Sequence, residues 1–163
     1  MITIGIDPGI ERTGVGIVEY RENKYNLIFN KLIKSSSKEK HEARLRKIFD
    51  ELVDILNEYK VDYASVEKLF FAKNVKTAFA VAEVRGIILL ALEMHKIPIY
   101  EYTPLQVKQG LTGYGRGAKN QVQELVKIIL NLKEIPKPDD VADGIALAIL
   151  HSNMQKTMLL MKE

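Results

Sequence analysis

The sequence predicts an α/β protein: a mixed five-stranded sheet with helices on both faces. Three observations carry this. Ile2, Ile4 and Ile6 alternate with Thr3 and Gly5, the period-two pattern of a strand. Leu45, Ile48, Leu52, Leu56 and Tyr59 recur at the spacing of an amphipathic helix. Taken in order, the segments read βββ-α-β-α-β-α-α-α, which mixes hairpins with crossover helices and so implies a sheet covered on both sides.

The first strand, Thr3–Asp7, stops at Asp7-Pro8-Gly9. Pro8 has no N–H for a ladder and Gly9 permits a sharp turn. Asp7 therefore ends a strand. Gly14–Tyr20 follows at once, so the two strands form a hairpin through the Gly9–Thr13 loop. Tyr25–Ile33 is a third strand after the polar turn Arg21–Lys24. Ser36 with Glu39 fits a capping box ahead of the helix His41–Tyr59. Val61–Glu67 is a fourth strand, and it too ends in a carboxylate. A loop with two adjacent aromatics, Phe70 and Phe71, leads to a second helix at about Asn74–His95. That helix is apolar over most of its circumference (Val75, Phe79, Ala82, Ile87, Ile88, Leu90, Leu92). One side can pack on the sheet; the other needs a second layer or a second subunit.

Ile97–Tyr102 is a short strand, with Pro98 marking an edge or a start. Thr103-Pro104 opens a helix that Gly110 is expected to end. Glycines then interleave with Tyr114, Arg116 and Lys119 in a surface loop. Gln121–Leu132 is helical, Pro136 and Pro138 interrupt, and a last helix runs from Asp139 or Asp140 to about Met154.

A chain of 163 residues is expected to form one domain, 1–163, with a sizeable core. No uninterrupted apolar run exceeds Ile87–Leu92 in length, far short of a membrane span. The N-terminus enters a strand with no basic leader. There are no cysteines, which excludes disulfides and thiolate metal sites. A cytoplasmic location is the expectation. The net charge of +3 permits a polyanionic partner without requiring one.

The acidic residues are more informative. Asp140-Val-Ala-Asp143 places two carboxylates on one face of a helix. Asp139 and Asp140 suit a helix N-terminus in any protein. Asp143, however, is flanked by Val141, Ala142, Ile145, Ala146 and Leu147, and a carboxylate in such company needs a partner. Asp7, Glu67, Asp140 and Asp143 are four candidates for one cluster. Two carboxylates about 4 Å apart repel by roughly 4 kcal/mol at an effective dielectric near 20, so a cation or a proton must offset them. All-oxygen ligands suit Mg²⁺ or Mn²⁺ rather than Zn²⁺. Two such ions can drive phosphodiester hydrolysis.

Ile4-Gly-Ile-Asp-Pro-Gly9 with Thr13-Gly14 resembles the opening of the RuvC-type Holliday junction resolvases. So do Val66-Glu-Lys-Leu-Phe-Phe-Ala-Lys-Asn74, Gln106-Val-Lys-Gln109, Lys119-Asn-Gln-Val122 and Asp140-Val-Ala-Asp143, in order from Met1 to about His151. The resemblance implies a ribonuclease-H-like fold and a homodimer. It implies two metal-dependent nicks, with Mg²⁺ or Mn²⁺, in a four-way DNA junction during recombination and repair. It also implies a branch-migration complex of RuvA and RuvB type as partner. Asp7, Glu67, Asp140 and Asp143 fall on the family's acidic positions. Phe70 falls on an aromatic that inserts near the junction bases, and Lys108 and Lys119 on basic residues near the scissile phosphate. Arg116 is a further candidate DNA contact, and the Gly113–Gly117 loop around it either cradles DNA backbone or is merely flexible. Asp139 is an alternative to Asp140 as the first ligand of the last helix.

Three other readings compete. An actin-like or sugar-kinase-like domain shares the strand–Asp-x-Gly–strand opening but needs a second half. A YqgF-like nuclease acting on RNA fits the Glu67–Asn74 and Val107–Val122 segments less well. A junction-binding protein without catalysis gains nothing from four acids facing phosphate.

Overall fold

The structure, a computed structural model, describes residues 1–68, 75–113 and 119–160, except for the side chains of residues 75–77, 119, 159 and 160. Its strands are β1 (Ile2–Asp7), β2 (Arg12–Arg21), β3 (Lys24–Lys34), β4 (Tyr63–Glu67) and β5 (Ile99–Tyr102). Its helices are α1 (His41–Glu58), α2 (Val75–Met94), α3 (Pro104–Thr112), α4 (Lys119–Ile129) and α5 (Asp139–Leu160). The sheet order is β3-β2-β1-β4-β5. β1, β2 and β3 pair antiparallel, whereas β1–β4 and β4–β5 pair parallel, as hairpins and helical crossovers require.

Strand alternation decides what each face carries. Ile4, Ile6, Val15, Ile17, Ala64 and Val66 point to one side and pack with Ile48 and Leu52 of α1 and Val84, Ile88 and Leu92 of α2. Each such enclosed aliphatic side chain contributes about 1.5–3 kcal/mol. Thr3, Gly5 and Asp7 alternate to the other side, as do Gly14, Gly16 and Val18, and Tyr63, Ser65 and Glu67. Helix α5 lies there. Its Ser152 hydroxyl is 3.0 Å from that of Thr3, and its Ile145 and Ile149 join Val18, Val107 and Val126 in a second core under α3 and α4.

The glycines set how close α5 comes. A Cβ on Gly14 would overlap the carbonyl of Asp140, and one on Gly5 would overlap that of Gly144. The helix backbone therefore rests directly on the backbone of β1 and β2, which no side chain at those positions would allow.

Three local expectations are corrected. Gly110 does not end α3. It lies inside the helix against Leu150, and Gly113, in the left-handed region at φ 74°, terminates it. The Thr103 start holds, with a full capping box to Gln106. Ser36 and Glu39 bond each other in a turn, and Lys40 is the residue preceding α1, with no side-chain cap. α5 runs on to Leu160, and within it the Thr157 hydroxyl donates to the Asn153 carbonyl one turn back. In α2, Ile88 and Leu92 face the core, while Phe79, Leu90 and Met94 form an exposed stripe at 69%, 55% and 61% exposure.

Candidate active site

Asp7 and Glu67 end neighbouring parallel strands. The last ladder pair is Ile6–Val66, so one further residue brings the two acids side by side on backbones about 4.8 Å apart. Both point toward α5. Asp7 also pairs with Gly14 on β2, and Gly14 touches the Asp140 carbonyl. The close approach of α5 thus lowers its first turn to the level of Asp7. Asp143 follows one turn on, along the same face as Asp140.

The result is a partly buried cluster of carboxylates. Burial, then the charges of Glu67, Asp143 and Asp140, and a hydrogen bond with Glu67 push the Asp7 carboxyl up to about 9. At neutral pH Asp7 therefore keeps a proton and shares it with Glu67, which removes one of the mutually repelling charges. Asp139 is exposed at the head of α5 and is not among the charges acting on Asp7.

Cations border the acids on two sides. The Arg12 guanidinium lies 3.5 Å from Asp140 Oδ2. Half-buried Lys108 lines a cavity of roughly 240 Å³ together with Glu67 and Asp143, between apolar walls of Pro104, Val107, Val122 and Leu147. Among the described residues, no group of three or more His, Asp or Glu side chains is set to hold an ion as it stands. Asp7 is hydrogen-bonded to Glu67, and Asp140 is paired with Arg12.

Asp7, Glu67, Asp140 and Asp143 are thus brought together, and Lys108 lies beside them. Lys119 is the first residue of α4, but its side chain lies outside the described residues, as do Phe70, Arg116 and the whole Gly-rich segment 114–118. Sequence reasoning missed Arg12. Its signal was the hairpin itself, because antiparallel pairing returns the residues after the Gly9 turn to the end of β1. It also missed His151, fully enclosed by Tyr63, Tyr100 and Tyr102 and sharing a 2.8 Å hydrogen bond through Nδ1 with the Tyr102 hydroxyl. Burial lowers the imidazole to about 4 and keeps it neutral. This hydrogen bond ties α5 to Tyr102, the β5 residue that pairs with Glu67, while Tyr63 meets the same ring from the opposite end of β4.

Comparison with known proteins gives the family. A family described as "Crossover junction endodeoxyribonuclease RuvC" matches residues 3–151. A protein of that name from Halothermothrix orenii is 52% identical over 153 residues, covering 94% of this chain and 93% of the relative. One from Petrotoga mobilis is 47% identical over 157 residues, 96% of each chain. The structure of T. thermophilus RuvC in complex with a Holliday junction substrate superposes with a TM-score of 0.89 at 32% identity, covering 96% of both chains. The yeast mitochondrial Holliday junction resolvase Ydc2, 13% identical with a TM-score of 0.70 over 94% of this chain and 78% of its own, shares the fold. The fold is ribonuclease-H-like, and the chain belongs to the RuvC family of crossover junction endodeoxyribonucleases.

Proposed function

We propose that this chain nicks four-way DNA junctions by metal-assisted phosphodiester hydrolysis at Asp7, Glu67, Asp140 and Asp143. One observation carries the assignment to these residues: four acids from two strand ends and one helix surround a partly buried point, where Asp7 is pushed up to about 9. A solvated surface would not assemble such repulsion, whereas a divalent ion relieves it. The donor set fits a hard cation, with oxygen ligands only and no thiolate, which favours Mg²⁺, with Mn²⁺ as a substitute.

Held by these residues, two ions per site would supply charge to offset the scissile phosphate and would acidify an attacking water. The rest is done by the chain. Asp7 and Glu67 would hold such ions once their shared proton had passed to solvent. Asp140 and Asp143 hold their spacing because α5 is pinned on Gly14 and Gly5. Lys108 lines the cavity together with Glu67 and Asp143 and would meet a phosphate brought to those acids. The apolar walls exclude water from that side. Phe70 and Lys119 remain candidates for base and phosphate contact from the family resemblance, and Arg116, close to Lys119 in sequence, is a further one.

A homodimer is part of this proposal. The stripe of Phe79, Leu90 and Met94 leaves α2 with an apolar face that a second copy can cover. A two-fold dimer presents two identical sites to two strands of a junction. The setting is recombination and repair in the cytoplasm, with a branch-migration complex of RuvA and RuvB type as partner. No helix among the described residues is long and apolar enough to cross a membrane.

The test is a nicking assay on a four-way junction, a linear DNA duplex and a structured RNA, with and without Mg²⁺. Paired nicks in the junction alone, only with Mg²⁺, are expected. Equal cutting of the duplex, preference for RNA, or junction binding without any cutting would overturn the reading.

A further inference from the structure

Arg12 and Lys34 are direct partners across the β2–β3 ladder, at the end of the hairpin nearest the acids. Two cations facing each other on adjacent strands destabilise a sheet. Both side chains alternate to the α5 side, and both residues are exposed. Lys137, on the segment entering α5, is exposed as well. A groove of roughly 670 Å³ is lined by Arg12, Lys137, Pro138, Asp139 and Asp140. A second, of roughly 420 Å³, is lined by Glu11, Arg12, Leu32, Lys34, Ser35 and Pro138. Arg12 and Pro138 line both, so the two grooves adjoin in one open channel, and Asp140 lines its first part.

We infer that this channel is a second DNA-backbone site, in which Arg12, Lys34 and Lys137 hold phosphates of the junction strand approaching the acid cluster. The inference rests on the junction-cutting reading above. Three cations from three segments converge on a surface open enough for a sugar–phosphate chain, and a polyanion relieves the Arg12–Lys34 repulsion. Glu11 and Asp139 share the channel and limit its charge, so Asp140 decides the balance. In this structure Asp140 holds the Arg12 guanidinium at 3.5 Å. A divalent ion held by Asp140 would compete with Arg12 for that carboxylate and would leave the guanidinium to phosphate. The channel therefore gains its full attraction for DNA only at a loaded site.

The experiment is junction binding by the full-length protein in Ca²⁺, which holds the DNA uncut, across a salt series. Each phosphate contact contributes about 0.9 to the slope of log K against log salt, which is roughly eightfold in affinity at 0.1 M salt. Arg12→Gln and Lys34→Gln are each expected to make the slope shallower by about that amount per site, and Arg12→Lys to restore most of it. The control is Lys24→Gln, the same charge change at the far end of the same hairpin, roughly 30 Å along the strand. It is expected to leave the slope unchanged. Without divalent ion the Arg12→Gln effect is expected to shrink, because Asp140 still holds the guanidinium. Slopes for Arg12→Gln and Lys34→Gln equal to wild type, or a Lys24→Gln effect as large as theirs, would overturn the channel while leaving the active site standing. Failure of the wild type to prefer a junction over a duplex would overturn both. A purely structural Arg12 would lower the melting temperature and leave the slope in place.

Discussion

Asp7→Asn is expected to stabilise the metal-free protein while abolishing cleavage. The unfolded Asp7 carboxyl, at its ordinary value of 3.8, has lost its proton at pH 7; the folded one, at about 9, keeps it. Between those values the folded state binds more protons than the unfolded state, so stability falls as pH rises. At pH 7 the gap is 7 − 3.8, about 3.2 pH units, and at about 1.36 kcal/mol each this is a cost of about 4 kcal/mol. Asparagine has nearly the same shape and needs no proton. Allowing about 1 kcal/mol for the altered hydrogen bond to Glu67, the variant gains about 2–4 kcal/mol, a rise in Tm of about 5–15 °C for a chain of this size. The advantage is absent near pH 4 and grows toward pH 9. Thermal melts in EDTA at pH 5 and pH 8 measure it. Saturating Mg²⁺ should narrow or reverse the difference, since only the wild type gains fully from the ion. A variant no more stable than wild type at pH 8 in EDTA would refute the argument that Asp7 sits in a cluster of repelling carboxylates.

Gly14→Ala places a methyl group in the Asp140 carbonyl and must push α5 away; cleavage should fall about 100-fold with a loss of about 1–3 kcal/mol in stability, read by nicking and denaturant unfolding. Leu90→Glu should yield monomers by light scattering at micromolar concentration with an intact fold, whereas Ile88→Glu, at a fully buried position, should unfold the chain. His151 gives the opposite pH dependence to Asp7: with its folded value near 4 against an ordinary 6.5, its share of stability is whole above pH 6.5 and lost as pH falls toward 4. The loss approaches about 3 kcal/mol, and His151→Gln should flatten it. Because the Asp7 slope opposes it over that window, the quantity to compare is the variant-minus-wild-type difference at each pH.

Much of the site was legible because its parts are local. Period two and the Asp7-Pro8-Gly9 turn put one acid at a strand end, and the short run to Glu67 put another there. The spacing of Asp140 and Asp143 gave a common helix face. Their convergence is not local. It depends on the parallel register of β1 with β4 and on glycines at positions 5 and 14 that admit a helix backbone, and neither can be read from one segment. The motif resemblance supplied that link. Gly110 misled because a glycine in a short helix looks like a stop, while its real partner, Leu150, lies forty residues away. Arg12 was overlooked because its meaning comes from two cross-element neighbours, Asp140 and Lys34. The apolar circumference of α2 was legible as two faces, but only the folded chain assigns Ile88 and Leu92 to the core and Phe79, Leu90 and Met94 to the outside.

The central claim is that these four acids form a divalent-metal site. Anomalous diffraction from crystals grown with Mn²⁺ tests it most directly. Two peaks about 3.5–4 Å apart are expected, with carboxylate oxygens of Asp7, Glu67, Asp140 and Asp143 about 2.0–2.2 Å from them. Crystals that hold Mn²⁺ elsewhere but show no peak at this cluster, with Asp7 still bonded to Glu67 and Arg12 still on Asp140, would contradict it.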